Sequence, residues 1–189
     1  MAFAARNVSS TQLSGGMAVS ILDHALEYAA CGMAVFPIHG VTDGACDCGK
    51  SYCTSPGKHP RVSGGCKSAT KDIETIISWW TANPTSNIGI ATGAVSGIIV
   101  IDVDIGPGKD GLASLREFES RHAPIAKSAT VLTGGGGRHF YMRAPSVEIR
   151  NSAGTLAKNI DIRGDGGYVV APPSMHISGN RYTWETLND

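Results

Sequence analysis

The stretch Gly97-Ile-Ile-Val-Ile-Asp-Val-Asp104 decides how this chain is read. Its apolar residues Ile98 to Ile101 form a strand that leaves the core and ends in an acidic pair. Side chains alternate faces along a strand, so Asp102 and Asp104 point the same way and Val103 points into the opposite layer. Two carboxylates that close repel unless a cation lies between them, and hard oxygen ligands suit Mg2+ or Mn2+. The pair is therefore either a metal site or the solvated end of a strand. Delivery from the core to a strand terminus, where active sites often lie, weakens the second reading.

Working outward, Asn87 to Ala91 reads as a second strand joined to this one by a Gly/Ser turn. Downstream come a helix over Asp110 to His122, a strand over Ala129 to Thr133, a turn over Gly134 to Gly137 and a strand over Arg138 to Arg143. The last three form a hairpin. After a polar connection, Asn159 to Arg163 and Tyr168 to Ala171 read as strands around a Gly164-Asp-Gly-Gly167 turn, and Arg181 to Trp184 as the final strand. Upstream, Val19, Leu22, Leu26 and Ala29 mark an amphipathic helix over Met17 to Cys31, stopped by Gly32. Met33 to Ile38 is a buried strand, and Asp72 to Thr81 a helix with Trp79 and Trp80 as packing residues. Helices among hairpin-rich strands predict an α+β class with a mainly antiparallel sheet.

The chain has 189 residues, 42% hydrophobic and 17% charged, which suits one domain with a sizeable core. Formal net charge is zero, so any nucleic-acid contact must come from a local patch. No apolar run is long enough to cross a bilayer, and Met1 to Gly16 lacks the pattern of a secretory signal. The expectation is a cytoplasmic domain over residues 17–189 behind a disordered lead over residues 1–16.

Between about His39 and Thr70 runs a loop too long to be idle in a compact domain. It holds Cys46, Cys48, Cys53 and His59, enough to close a tetrahedral Zn2+ site, with Cys66 in reserve if His59 faces elsewhere. The spacing is not that of a standard finger, and free thiols are the alternative. Cys31, at the end of the first helix, is expected to be a small buried residue.

In Thr133-Gly-Gly-Gly-Gly-Arg-His139, bare backbone amides precede two donors, so a phosphate can approach closely with Arg138 and His139 beside it. A flexible turn with a surface histidine is the plainer reading. The run opens no helix and is not a dinucleotide fingerprint, and Gly57-Lys-His-Pro60 lacks the upstream glycine and the Ser or Thr of an ATPase loop. Asp161 and Arg163 share a strand face, as a metal ligand beside a phosphate contact or as an ion pair on a wet sheet. Asp165 reads as a turn former.

Taken in order, D-V-D, then G-G-G-R-H-F-Y, then D-I-R-G-D-G-G-Y-V-V-A-P-P-S resembles the bifunctional primase-polymerase N-terminal domain of the archaeo-eukaryotic primase superfamily. The likeness spans about Ile21 to Trp184 and includes G-K-H-P, N-I-G-I-A-T-G and R-Y-T-W. It implies that Asp102 and Asp104 bind two catalytic Mg2+ or Mn2+ ions, that Asp161 completes the acidic triad and that His139 contacts the nucleotide triphosphate. Arg138 and Arg163 are lesser phosphate candidates. It also implies a catalytic core of RNA-recognition-motif topology, a structural Zn2+ in the cysteine loop, and a single-stranded DNA template, primer, and dNTP or NTP as partners. The expected setting is phage, plasmid or prophage replication in a bacterial host cell, as a monomer in isolation, with a helicase domain in the full-length protein. Two rival readings remain: a D-x-D nuclease or transferase, and a silent zinc module that grips single-stranded DNA through Arg138, Arg143, Arg150, Lys158 and Arg163.

Overall fold

The computed structural model describes residues 19–125 and 129–185, so the lead read over residues 1–16 lies outside the described residues. Helix α1 (Ile21–Ala30) begins at Ser20, whose hydroxyl accepts from the Asp23 amide while the Asp23 carboxylate accepts from the Ser20 amide. Two otherwise orphaned backbone donors are thereby satisfied. Strand β1 (Val35–Ile38) is buried throughout. The long loop folds into a small ribbon, β2 (Val41–Thr42) with β3 (Ala45–Cys46), and a 3-10 turn at Gly65–Ser68. Helix α2 (Ile73–Ala82), capped by Asp72, buries Trp80, whose indole N–H donates to the Ser86 carbonyl.

Next come β4 (Asn87–Ala91) and β5 (Ile98–Val103), the short hairpin β6 (Ile105–Gly106) and β7 (Lys109–Asp110), and helix α3 (Gly111–Arg121). Then follow β8 (Thr130–Leu132), β9 (Arg138–Arg143), β10 (Ser152–Ala157), β11 (Ile160–Arg163), β12 (Tyr168–Ala171) and β13 (Thr183–Trp184). The larger sheet has the order β10-β11-β5-β9-β8-β13 and a smaller one β1-β4-β12, and every pairing within them is antiparallel. The class is α+β, as expected.

The strand alternation of β5 and β9 sorts two cores. Ile98, Val100, Val131 and Tyr141 join α1, α2 and the small sheet in one, while Ile101, Val103 and Ile160 meet Leu115 of α3 in the other. Burying a large aliphatic side chain contributes roughly 1.5–3 kcal/mol, so both faces of β5 hold it in place. Among the described residues no helix is long and apolar enough to cross a membrane.

Two of the turns read from the sequence join strands of different sheets. The glycine turn after β4 leads into the larger sheet, and the turn after β11 leads back into the smaller one, so neither pair is a hairpin. Only local bridges survive at these corners, such as Gly93 with Ile98. The polar connection after Arg143 contains β10, an edge strand with no buried residue and an irregular register against β11. Without a buried face there is no apolar alternation to announce it. By contrast, β8 and β9 form the hairpin expected of them.

Candidate active site

Register, not sequence proximity, assembles the site. Asp102 of β5 lies directly opposite Asp161 of β11 on one side and His139 of β9 on the other. Directly opposed residues of antiparallel strands share a face, so the three form a row across the sheet. Asp104 follows just past β5, where its amide still bonds the Asn159 carbonyl. Asp102, Asp104, His139 and Arg163 line one cleft of about 420 Å3, closed on other sides by Tyr168 to Val170 of β12, Thr133 of the glycine turn, Tyr182 and Lys58. Asp161 is not part of that wall; one of its oxygens accepts from the Gly154 amide at 2.9 Å.

Each carboxylate of the row already faces a cation. The Arg163 guanidinium donates to Asp102 at 2.9 and 3.2 Å and to Asp161 at 2.8 Å, so the two acids lie no further apart than one shared nitrogen allows. Lys109, carried by the β6-β7 hairpin, donates to Asp104 at 2.6 Å, and that hydrogen bond holds its ammonium above the usual lysine range. Asp161 and Arg163 thus do form the ion pair that one reading of the sequence foresaw. Arg163 supplies the positive charge between the like charges of Asp102 and Asp161, and Lys109 neutralises Asp104. The three carboxylates do not converge as tightly as the Cys-His cluster does.

His139 is no surface histidine. It is 6% exposed, its Nε2 lies 3.4 Å from Asp102, and its buried Nδ1 has no hydrogen-bond partner among the described residues. Burial pushes its pKa below the ordinary histidine value; Asp102 opposes this, while Arg163 and Lys58 act with it. The imidazole is therefore neutral near pH 7, a donor or acceptor and not a charge. Burial likewise raises the Tyr182 phenol, whose ring lies 5.9 Å from that of His139.

Arg138 corrects the sequence reading. It neighbours His139 along β9 and so points to the opposite face, where it pairs with Glu185 at 3.4 Å, away from the cleft. Cys31 is another correction. It caps α1 and is exposed, because the helix ends at the surface.

In the loop, the ligand atoms of Cys46, Cys48, Cys53 and His59 all lie within 4.8 Å of one another, and Cys46 Sγ is 3.4 Å from His59 Nε2. Among the described residues they are the only such group of three or more. Ligands of a tetrahedral zinc with bonds of about 2.0–2.3 Å stand under 4 Å apart, so these four residues fit one ion. Cys66 is not among them: its thiol faces the Gly166 carbonyl at 3.5 Å. A hydrogen bond from the Lys50 backbone lowers the Cys48 thiol pKa, whereas burial raises that of Cys46. Beside the cluster, His39 stacks on His59 with ring centroids 4.5 Å apart and bonds Asp47 at 2.8 Å. Asp47 in turn pairs with Arg61.

The model of the family described as bifunctional DNA primase/polymerase, N-terminal, matches residues 25–188. The chain belongs to that family. No curated protein matches it. Membership in the primase-polymerase family brings a DNA primase/polymerase-type function, with DNA and nucleotides as substrates.

Sequence reasoning missed Lys58, Lys109, Asn151 and Tyr182 in this primase-polymerase cleft. Lys58 was passed over when Gly57-Lys-His-Pro60 failed as an ATPase loop, Lys109 because Gly106-Pro-Gly-Lys109 reads only as a turn, and Tyr182 because it sits in a short terminal strand. Lys58 and Tyr182 carried a signal, in the G-K-H-P and R-Y-T-W that belong to the family likeness.

Proposed function

We propose that the cleft carries out template-directed nucleotidyl transfer, as both primase and polymerase, with Asp102, Asp104 and Asp161 as ligands for two Mg2+ or Mn2+ ions. The observation that carries this reading is the row Asp161, Asp102, His139, set by the ladders of β11, β5 and β9, of which Asp102 and His139 open on the cleft and Asp161 is tied to Asp102 through Arg163. When bound, such ions activate the primer 3′-hydroxyl and neutralise charge on the leaving pyrophosphate. In the reaction the 3′-oxygen bonds to the α-phosphorus, the bond to the β-bridging oxygen breaks, and the hydroxyl proton passes to solvent. Arg163 exchanges its carboxylate partners for phosphate oxygens, and neutral His139 offers an N–H to the triphosphate without adding charge. Thr133, at the head of the glycine turn, offers its hydroxyl to the phosphates from the cleft wall.

The silent DNA-gripping alternative has less support, because three of its five cations are committed: Arg138 to Glu185, Arg150 to Glu148, and Arg163 to Asp102 and Asp161. The family likeness alone supports the setting in phage, plasmid or prophage replication and the helicase elsewhere in the full-length protein, while a structural Zn2+ role for the loop is supported by the Cys-His cluster as well. Incubation with a primed template and labelled deoxynucleotides tests the reading. Extension by the wild type, reduced at least about a hundredfold in Asp102→Asn, is expected; shortening of the primer indicates a nuclease, and full extension by Asp102→Asn removes the assignment.

A further inference from the structure

We propose that Lys58 is the cleft's uncommitted cation for the nucleotide phosphate tail, and that the Cys-His centre, through its ligand His59, sets where Lys58 stands, so that metal loading of the loop governs nucleotide affinity. This rests on reading the cleft as the nucleotide site.

Charge accounting singles Lys58 out. Three cations line the cleft, and two are spoken for: Lys109 by Asp104, and Arg163 by Asp102 and Asp161. Among the described residues, Lys58 makes no ion pair with a carboxylate and is exposed. The wall carries two acids, Asp102 and Asp104, against these three cations, so an anionic tail entering with its divalent ions meets Lys58 as the cation free to bind it.

The placement of Lys58 is built, not incidental. Its carbonyl accepts from the Tyr168 hydroxyl at 2.9 Å, and Tyr168 is itself a cleft residue. The preceding Gly57 is buried with φ +70, and its carbonyl accepts from the Asn87 side chain at 2.9 Å. A side chain at Gly57 would approach Val41 Cγ2 to 2.6 Å, so the backbone there sits tight against the ribbon. On the other side stands His59, whose Nε2 faces the thiols, and whose carbonyl accepts from the His39 amide at 3.0 Å. One side of Lys58 is therefore tied to the small sheet and the other to the metal ligands. Without an ion, three thiols and an imidazole have little to hold them together, and the tie on that side slackens.

The test is equilibrium binding of a deoxynucleoside triphosphate with a non-cleavable α,β bridge, in Mg2+, beside the matching monophosphate. Lys58→Gln should weaken the triphosphate about tenfold and leave the monophosphate unchanged, and Lys58→Arg should restore most of the loss. Cys48→Ser, with zinc content measured on the same sample, should lose zinc and weaken triphosphate binding to a similar degree. The double variant should be no weaker than either single one, because both act through the same side chain. Triphosphate binding by Lys58→Gln within twofold of wild type overturns the assignment, and multiplicative losses in the double variant overturn the coupling. If Asp102→Asn abolishes incorporation while Lys58→Gln binds normally, only this inference falls; if Asp102→Asn still extends primers, the nucleotidyl-transfer reading falls as well.

Discussion

Across the larger sheet, Asp161, Asp102 and His139 stand side by side because three ladders share a register. In the loop, Cys46, Cys48, Cys53 and His59 meet with only a two-residue ribbon nearby to guide the backbone. The first cluster is held by backbone hydrogen bonds and by apolar residues on both faces of β5, so its geometry exists before any ligand arrives. The second has few backbone ladders behind it and only weak thiol and imidazole contacts, such as Cys46 with His59, until a cation joins its side chains. Order in the sheet comes from folding, and order in the loop is linked to binding.

The sharpest way to break that contrast is to strip the loop. Removing metal through Cys48→Ser should speed amide exchange over residues 41–66 at least about tenfold while β5 and β9 keep their protection, as hydrogen exchange with mass spectrometry would show. Equal loss in both regions would mean that the sheet also depends on the loop.

Next in size is Arg163→Gln. It leaves Asp102 and Asp161 opposed without their shared counterion, both largely shielded from solvent. Denaturant unfolding should show a loss of about 1–2 kcal/mol, and millimolar Mg2+ should recover part of it in the variant but add little to the wild type. A variant as stable as wild type without Mg2+ would mean that the row needs no cation.

Gly111→Ala probes the backbone support directly. An added methyl would sit 2.6 Å from the Asp104 carbonyl and 2.7 Å from Val103, where α3 begins against the end of β5. Overpacking of this kind costs about 1–3 kcal/mol, and primer extension should fall with it. At Gly49 in the loop nothing lies within 4 Å, so Gly49→Ala meets only the strain of its φ of +72.

The smallest effect concerns the glycine turn, where His176 packs on Gly134 and its neighbour Ser178 donates to the Gly134 carbonyl at 2.7 Å. Burial, with Lys58 nearby, lowers the His176 pKa, so the unfolded chain binds this proton more readily than the folded one. Stability should therefore decline as pH falls through about 6.5, the ordinary histidine value. His176→Asn should make the melting temperature slightly less sensitive to pH over that window.

Much of this was legible in the chain itself. The α+β class follows from apolar runs and helical spacing, the hairpin from its glycines, and the common face of Asp102 and Asp104 from strand alternation alone. Four metal ligands could be picked from one loop because three thiols and an imidazole crowd into it, although the sequence left free thiols and Cys66 open. Edge strand β10 escaped notice because nothing in it is buried, and the division into two sheets did so because a turn reads the same whether the chain folds back or crosses to another layer.

Local chemistry determined which residues belong to strands, which carboxylates point together and which side chains can take a soft metal, since these depend on neighbours within a few positions. Only the tertiary structure decided that Asp161 and His139 flank Asp102, that Arg138 turns away to Glu185, and that Lys58 reaches the same cleft as the acids. Those outcomes rest on ladder register and on packing between residues far apart in the chain, which one-dimensional periodicity does not encode.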